Sequence, residues 1–157
     1  DLTVIGLTRL SSKFESIPFL KEELVLIVSP KHPLSNRKSV SLRELEAYPL
    51  IIRAKGSTTR RILLQAFKEL DIRPSLLVEA GSSEFIKQWV SEGKGVSVIV
   101  KRIVEDEGKR GIVRIVPLSE KLYLEVAFVY LKEQRFNPAI KTFVEYMESK
   151  GRRIIKS

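Results

Sequence analysis

The hydrophobic pattern of residues 76–100 predicts a strand, a helix and a second strand. An apolar run at residues 76–78 ends before Gly81, and Ser82 or Ser83 is placed to cap a helix. Apolar residues then recur at helical spacing: Phe85, Ile86, Trp89 and Val90. Glycines 93 and 95 end the helix, and residues 96–100 form a second buried run. The compact connections favour a right-handed parallel crossover.

A second stretch, residues 50–70, repeats this order. Leu50 to Ile52 predict a strand, and Gly56 precedes the hydroxyl cluster Ser57, Thr58 and Thr59. The helix that follows has apolar residues at Ile62, Leu63, Ala66, Phe67 and Leu70. Each unit leaves the first N–H groups of its helix at the carboxyl end of a strand, where open α/β sheets usually bind ligands.

The remaining pattern predicts further strands and two more capped helices. Ser41 and Glu44 have the spacing of a capping box. Asn137 and Pro138 begin a last helix that we expect to end at Gly151, leaving a frayed basic tail. We expect a polar connection over residues 8–18. The predicted strands span residues 1–7, 23–29, 112–116 and 122–131.

Composition indicates a globular protein of one domain or two small lobes. The chain has 157 residues, of which 43% are hydrophobic and 30% charged. It has no run of apolar residues that could cross a bilayer and no secretion-signal pattern at its start, which we interpret as a cytoplasmic protein. The absence of cysteine and the single histidine argue against a metal site, and we expect no cofactor.

The net charge of +9 raises the possibility of nucleic-acid binding. Lysine and arginine are scattered through every segment and interleaved with glutamate, which favours a solvated surface instead. A generally positive field still favours anionic ligands.

The two Gly-Ser turns, at residues 56–59 and 81–83, are the strongest candidates for a binding site. Both could offer hydroxyls and backbone N–H groups to one anion, to which Arg53, Lys55 or Arg60 would add charge. Ordinary helix capping by serine and threonine is the alternative for each turn.

The signals for an enzyme are weak. No cysteine nucleophile exists, His32 lies in a proline-flanked loop, and neither serine turn has the Gly-x-Ser-x-Gly pattern. Glu79 and Glu84 could form a carboxylate pair, but Glu84 is also placed to stabilise a helix dipole. We therefore predict that the protein is not an enzyme.

Several stretches resemble the effector-binding domain of LysR-type transcriptional regulators. They are residues 18–28 with Lys31-His32-Pro33-Leu34, Leu42-Arg43-Glu44-Leu45, Pro49-Leu50-Ile51, Gly56-Ser57-Thr58-Thr59-Arg60, and Glu84-Phe85-Ile86-Lys87 with Val90, Gly93, Gly95 and Val96. Thr58 stands where the family's Gly-Ser-Gly-Thr-Arg type of turn has its second glycine. The order and spacing hold across nearly the whole chain.

This resemblance implies an α/β fold like that of type 2 periplasmic binding proteins, in which two α/β subdomains are joined by two crossing strands and the effector lies between them. Residues 1–18 and 122–157 would belong to subdomain I and its hinge strands, and residues 19–121 to subdomain II. The first subdomain would be incomplete, and the winged helix-turn-helix of the family would be absent from this chain.

The resemblance also implies a site and partners. We expect a small anionic effector in a cleft that both turns face, with Thr8 as a weaker contributor. The effector-binding residues would be Arg53, Ala54, Gly56, Ser57, Thr58, Gly81, Ser82 and Ser83. DNA would be bound through the missing N-terminal domain, not through this fragment. The full-length protein would form a homo-oligomer in which the helix at 58–70 and the strand at 75–79 contact a partner, without a membrane.

Two other functions stay open. One is a solute-binding protein of a transport system with the same fold, and the other is an enzyme on this fold.

Overall fold

The computed structural model describes residues 2–7 and 11–154, which divide into two compact units. Unit 2 runs from Glu23 to Tyr123, and unit 1 combines the chain before it with the chain after it. The predicted division into residues 1–18 with 122–157 and residues 19–121 stays a prediction. Thr8 and the last three residues of the predicted basic tail lie outside the described part of the chain.

The described strands and helices follow one another in the order in which we number them. The strands are β1 (Leu2–Gly6), β2 (Phe14–Val28), β3 (Leu50–Arg53), β4 (Leu76–Ala80), β5 (Ser97–Val100), β6 (Arg114–Val116) and β7 (Tyr123–Leu131). The α-helices are α1 (Thr58–Glu69), α2 (Ser83–Ser91), α3 (Glu105–Lys109) and α4 (Pro138–Ile154). Short 3₁₀ helices span Leu42–Ala47, Lys101–Val104 and Lys132–Phe136.

In unit 2, β2 lies between β5 and β6 and pairs antiparallel with both. A parallel bridge between Leu50 and Val96 connects β5 to β3, and β3 pairs in parallel with β4. Both β4 and β5 therefore run parallel to β3, as the strand-helix-strand pattern predicts, although β3 lies between them. The strands β4, β3 and β5 form the parallel part of the unit and carry the two Gly-Ser turns.

The core of unit 2 forms because its strands are apolar on both faces. Leu24 to Val28 in β2 are each at most 2% exposed. From the helix α2, Ile86 and Val90 pack against Ile27 in β2 and Ile51 in β3. This burial of one helix face follows directly from the apolar spacing in the sequence.

In unit 1, β7 lies between β1 and β2. Phe128 of β7 stacks on Phe19 of β2 at 4.3 Å between ring centroids and meets Phe143 of α4 edge-on at 4.8 Å. Ile140 and Met147 of α4 are also buried. The aromatic cluster thus joins the last helix to the sheet of this unit.

Two predictions for unit 1 are wrong. The expected polar connection over residues 8–18 is partly strand, because Glu15, Ile17 and Phe19 alternate with more exposed residues and give β2 one half-buried face. Gly151 does not end the last helix, which keeps its helical conformation to Ile154. The caps predicted at Ser41 and Asn137 are confirmed, since Ser41 and Glu44 form a capping box and the Asn137 side chain accepts the amide of Ala139 at 3.0 Å.

Gly95 is required where β5 approaches β3. The amide of Val96 donates to the carbonyl of Pro49 at 2.9 Å, and a Cβ at position 95 would lie 2.7 Å from that same carbonyl oxygen. We expect Gly95→Ala to lower the free energy of unfolding by about 1–3 kcal/mol, because the backbone of Pro49 would have to move. Urea denaturation measures this loss.

Gly81→Ala is the matched control, since a Cβ at position 81 meets no atom within 4 Å. Its unfolding free energy should stay within about 0.5 kcal/mol of wild type. Equal destabilisation by both variants would contradict the assigned close approach of β5 to β3.

Candidate functional site

The two Gly-Ser turns leave the sheet side by side. In the parallel pair, Arg53 of β3 is in register with Ala80 of β4. One residue further on, the amide of Ala54 donates to the carbonyl of Ala80 at 2.8 Å. We name residues 53–58 and 81–83 the turn edge. It contains all eight residues predicted to bind an effector.

The first turn presents a hydroxyl that has no capping role. Gly56 has φ +91°, a left-handed conformation that turns the chain toward α1 and favours glycine. Ser57 occupies the N-cap position of α1, yet its side chain makes no capping hydrogen bond. The first amides of α1 lack intrahelical acceptors, and the hydroxyl of Ser57 does not supply one. Capping alone therefore does not account for this serine.

The second turn is an ordinary N-cap. Ser82 precedes α2, and its Oγ accepts a hydrogen bond from the amide of Glu84 at 3.1 Å. Its hydroxyl proton is still available to donate. Of the two alternatives open for each turn, capping accounts for Ser82 but not for Ser57.

Arg60 holds the turn edge together and is not an uncommitted charge. Its Nη1 donates to the carbonyl of Arg53 at 3.1 Å, and its Nη2 lies 2.6 Å from Oε1 of Glu79. The Arg60 side chain is only 13% exposed. The guanidinium therefore ties the start of α1 to the ends of β3 and β4. Of the three cations suggested for an anion, this one is neutralised within the protein.

The carboxylates near the turns do not form the acid pair considered from the sequence. Glu79 pairs with Arg60, and Glu84 pairs with Lys87 at 2.7 Å. Each acid thus has a cation as its partner. Among the described residues, no group of three or more His, Asp or Glu side chains could hold a metal ion.

Lys87 is a buried cation that the sequence pattern did not reveal. It is 8% exposed on α2, and its Nζ contacts Glu84 of the same helix and Glu107 of α3, the latter at 2.6 Å. Burial lowers the pKa of Lys87, but the hydrogen bonds to Glu107 and Glu84 outweigh it and raise the pKa above its ordinary value of 10.5. The hydrogen bond from Lys87 in turn holds the pKa of Glu107 below 4.5. The cluster joins α2, and hence the second turn, to α3.

His32 has a structural role in its loop. Its Nδ1 accepts the amide of Leu34 at 3.2 Å, and its ring meets Tyr48 edge-on at 4.6 Å. Burial lowers the pKa of His32 below 6.5, which favours the neutral ring that this contact requires. The side chain is half-buried rather than on the surface.

No described helix combines the length and the apolar character that a bilayer crossing requires.

Comparison with known proteins identifies the family. The sequence profile described as LysR substrate binding domain matches residues 1–152. The chain belongs to this family. As a LysR substrate-binding domain it has the type 2 periplasmic-binding-protein-like fold, and the expected α/β fold is confirmed.

This LysR domain is similar to individual proteins in sequence and in structure. The chain is 33% identical over 134 residues to the transcriptional activator CmpR of Synechocystis sp., with 82% of this chain and 43% of CmpR covered. The regulatory domain of CcmR from Synechocystis PCC6803, solved in complex with 2-PG, is 26% identical with a TM-score of 0.84. This match covers 98% of this chain and 74% of the CcmR chain. The effector-binding domain of QuiR, solved with shikimate, has a TM-score of 0.85 at 24% identity. This match covers 98% of this chain and 72% of the QuiR chain.

The similarity to the transcriptional activator CmpR and the membership of the LysR family favour a regulator over the solute-binding alternative. The family consists of transcriptional regulators. The chain spans less than half the length of CmpR.

We expect Lys87→Met to lower the free energy of unfolding at neutral pH by about 1–3 kcal/mol, because Glu107 loses its partner while the aliphatic stem is preserved. The pKa of Glu107 is depressed in the folded state, so its stabilising contribution is fully present above pH 4.5 and is lost as the pH falls through the lowered value. The difference between wild type and variant should therefore shrink in acid. Chemical denaturation at a series of pH values measures it.

Lys109→Met is the matched control. Lys109 and its partner Asp106 are both highly exposed, and Nζ of the lysine lies 3.8 Å from Oδ1 of the aspartate. The effect of Lys109→Met should be small at every pH. A pH-independent loss in Lys87→Met would contradict the ionic role of Lys87.

Proposed function

We propose that this chain is the effector-sensing domain of a LysR-type transcriptional regulator and that it binds a small anionic metabolite at the turn edge. The observation that carries the proposal is the placement of both Gly-Ser turns at one end of the β3–β4 pair. Helix N-termini favour negative charge, because their free N–H groups and the helix dipole point toward the ligand.

The hydroxyl of Ser57 gives this site its most specific feature. It makes no capping bond and is half-buried beside the glycine turn, so an anion at the first amides of α1 would lie within its reach. Ser82 and Ser83 supply hydroxyls from the neighbouring turn. Arg53 and Lys55 add positive charge, whereas Arg60 holds the turns in place. CcmR with 2-PG and QuiR with shikimate support a small molecule as the ligand class.

In the full-length regulator, the effector would act by binding two conformational states with different affinity, which is the only way a ligand shifts an equilibrium. DNA would be contacted by an N-terminal domain, in the cytoplasm, and not by this chain. The whole protein would be a homo-oligomer that uses α1 and β4. Leu70, which follows the last residue of α1 as its C-cap, is 38% exposed, and Leu76 of β4 is 46% exposed. These exposed apolar side chains support a contact surface there.

The proposal is tested by thermal-shift screening of the chain with carboxylates, phosphates and sulfate, followed by calorimetric titration of any anion that stabilises it. We expect Ser57→Ala to weaken binding by about tenfold or more, because a hydrogen bond to a charged group is lost. Ser82→Ala should weaken it as well, by a smaller factor, because its hydroxyl also caps α2.

Ser119→Ala serves as the control. Ser119 is an exposed serine whose Oγ lies 3.3 Å from that of Ser39, and it is not part of the turn edge. Binding that is unchanged in both Ser57→Ala and Ser82→Ala would contradict the assigned site.

A further inference from the structure

A basic groove runs along the exposed face of α1. It encloses about 360 Å³ and begins at the loop before the helix. Its main lining residues are Lys55, Ser57, Arg60, Arg61, Leu64 and Lys68. No carboxylate lines it among the described residues. A volume of this size lies in the range of small-molecule sites, which starts at about 300 Å³.

Three of the four cations in the groove have no acidic partner in the part of the chain that the structure describes. Arg60 is neutralised by Glu79, but the guanidinium of Arg61 donates only to Oγ1 of Thr58, at 3.3 Å. Among the described residues, no carboxylate forms an ion pair with Lys55, Arg61 or Lys68. Glu69, which follows Lys68, accepts the side-chain amide of Gln65 at 2.8 Å.

Several exposed cations elsewhere in the same unit have nearby acids, as in the pairs Arg37–Glu44, Lys94–Glu92 and Lys121–Glu23. In the groove, three cations without an acidic partner in the described chain line one surface. Three like charges in one groove repel one another, and a bound anion would relieve that repulsion.

The spacing of the cations defines the shape of the anion. Arg61, Leu64, Gln65 and Lys68 recur at helical spacing and therefore share one face of α1. Arg61 and Lys68 lie seven positions apart on the helix, a rise of about 10 Å. Leu64 lies between them and offers an apolar contact. The groove thus presents positive charge at two ends of an apolar middle.

We propose that this groove is a second anion site, which binds an elongated organic anion with a phosphate or carboxylate group at each end. It shares Lys55, Gly56 and Ser57 with the turn edge, but none of residues 81–83 lines it. The inference does not rest on the proposed effector site, because Arg61 and Lys68, which define the two ends of the groove, lie on α1 outside the turn edge.

The test is calorimetric titration of the chain with suberate and with tripolyphosphate, and with acetate as the singly charged comparison. Suberate and tripolyphosphate distinguish a carboxylate ligand from a phosphate ligand. We expect at least one of them to bind with an affinity that falls as salt is added, and acetate to bind far more weakly. The double variant Arg61→Gln, Lys68→Gln should lose about tenfold or more in affinity.

The matched control is Lys31→Gln, Lys38→Gln, which removes the same charge from two exposed lysines outside the groove. Its affinity should stay within about twofold of wild type, because only the diffuse field changes. Urea denaturation of both double variants verifies that each is folded, since all four positions are solvent-exposed.

Four outcomes would overturn the proposal. In the first, neither long anion binds. In the second, both double variants lose affinity equally, which indicates that the diffuse positive field of the protein attracts the anion. In the third, Ser82→Ala abolishes binding of the long anion, which places that anion at the turn edge. In the fourth, the groove is occupied by a second copy of the chain, which sedimentation would detect as self-association. If the groove variant abolishes this self-association and the long anions do not affect it, the groove is a protein contact.

Discussion

Parallel pairing of β3 with β4 is the constraint on which the candidate site depends. The register has one irregularity, since Leu50 is paired with Leu76 but Ile51 with Val78. This extra residue in β4 aligns Arg53 with Ala80, where an uninterrupted register would have aligned it with Glu79. The two strands therefore end together, and their turns begin at the same level. Without that alignment, the hydroxyls and helix N-termini of the two turns would be staggered along the sheet.

Two sets of cations in unit 2 differ in how they are paired. Arg60 and Lys87 are largely buried and each is paired with glutamate, so they stabilise the positions of α1 and α2 and contribute little charge to a ligand. The cations of the α1 groove are exposed and have no acidic partner in the described chain. The net charge of +9 is thus not spread as evenly as the sequence suggests. Proximity in the sequence could not separate these groups, because the acids that decide the matter lie on other elements.

The parts of the structure that follow from short-range chemistry could be predicted from the sequence. Apolar spacing predicted α1 and α2, and the residue types at their starts predicted the two turns. Parallel order followed from two successive strand-helix units. The family resemblance then identified the fold, which the comparisons confirm. Whether the eight turn-edge residues bind an effector stays a prediction.

The parts that depend on contacts between distant residues were missed. Lys87 looks like a surface residue in the sequence, and only its spacing from Glu84 hints at a pair, because Glu107 lies twenty positions away. The ion pair of Arg60 with Glu79 forms because the register of β4 brings Glu79 beside α1. The early start of β2 depends on pairing in unit 1. A glycine favours the end of a helix where it takes a left-handed conformation, as Gly93 does after α2 with φ +75°, whereas Gly151 lies within α4.

The most direct measurement of the central claim is a nuclear magnetic resonance titration of the backbone amides with an anion that stabilises the chain. If one ligand occupies the edge formed by both turns, the amide signals of Ser57, Thr58, Ser82 and Ser83 shift together and give a single dissociation constant. Shifts confined to one turn, or absent from both while signals elsewhere move, would contradict a shared site at the ends of β3 and β4.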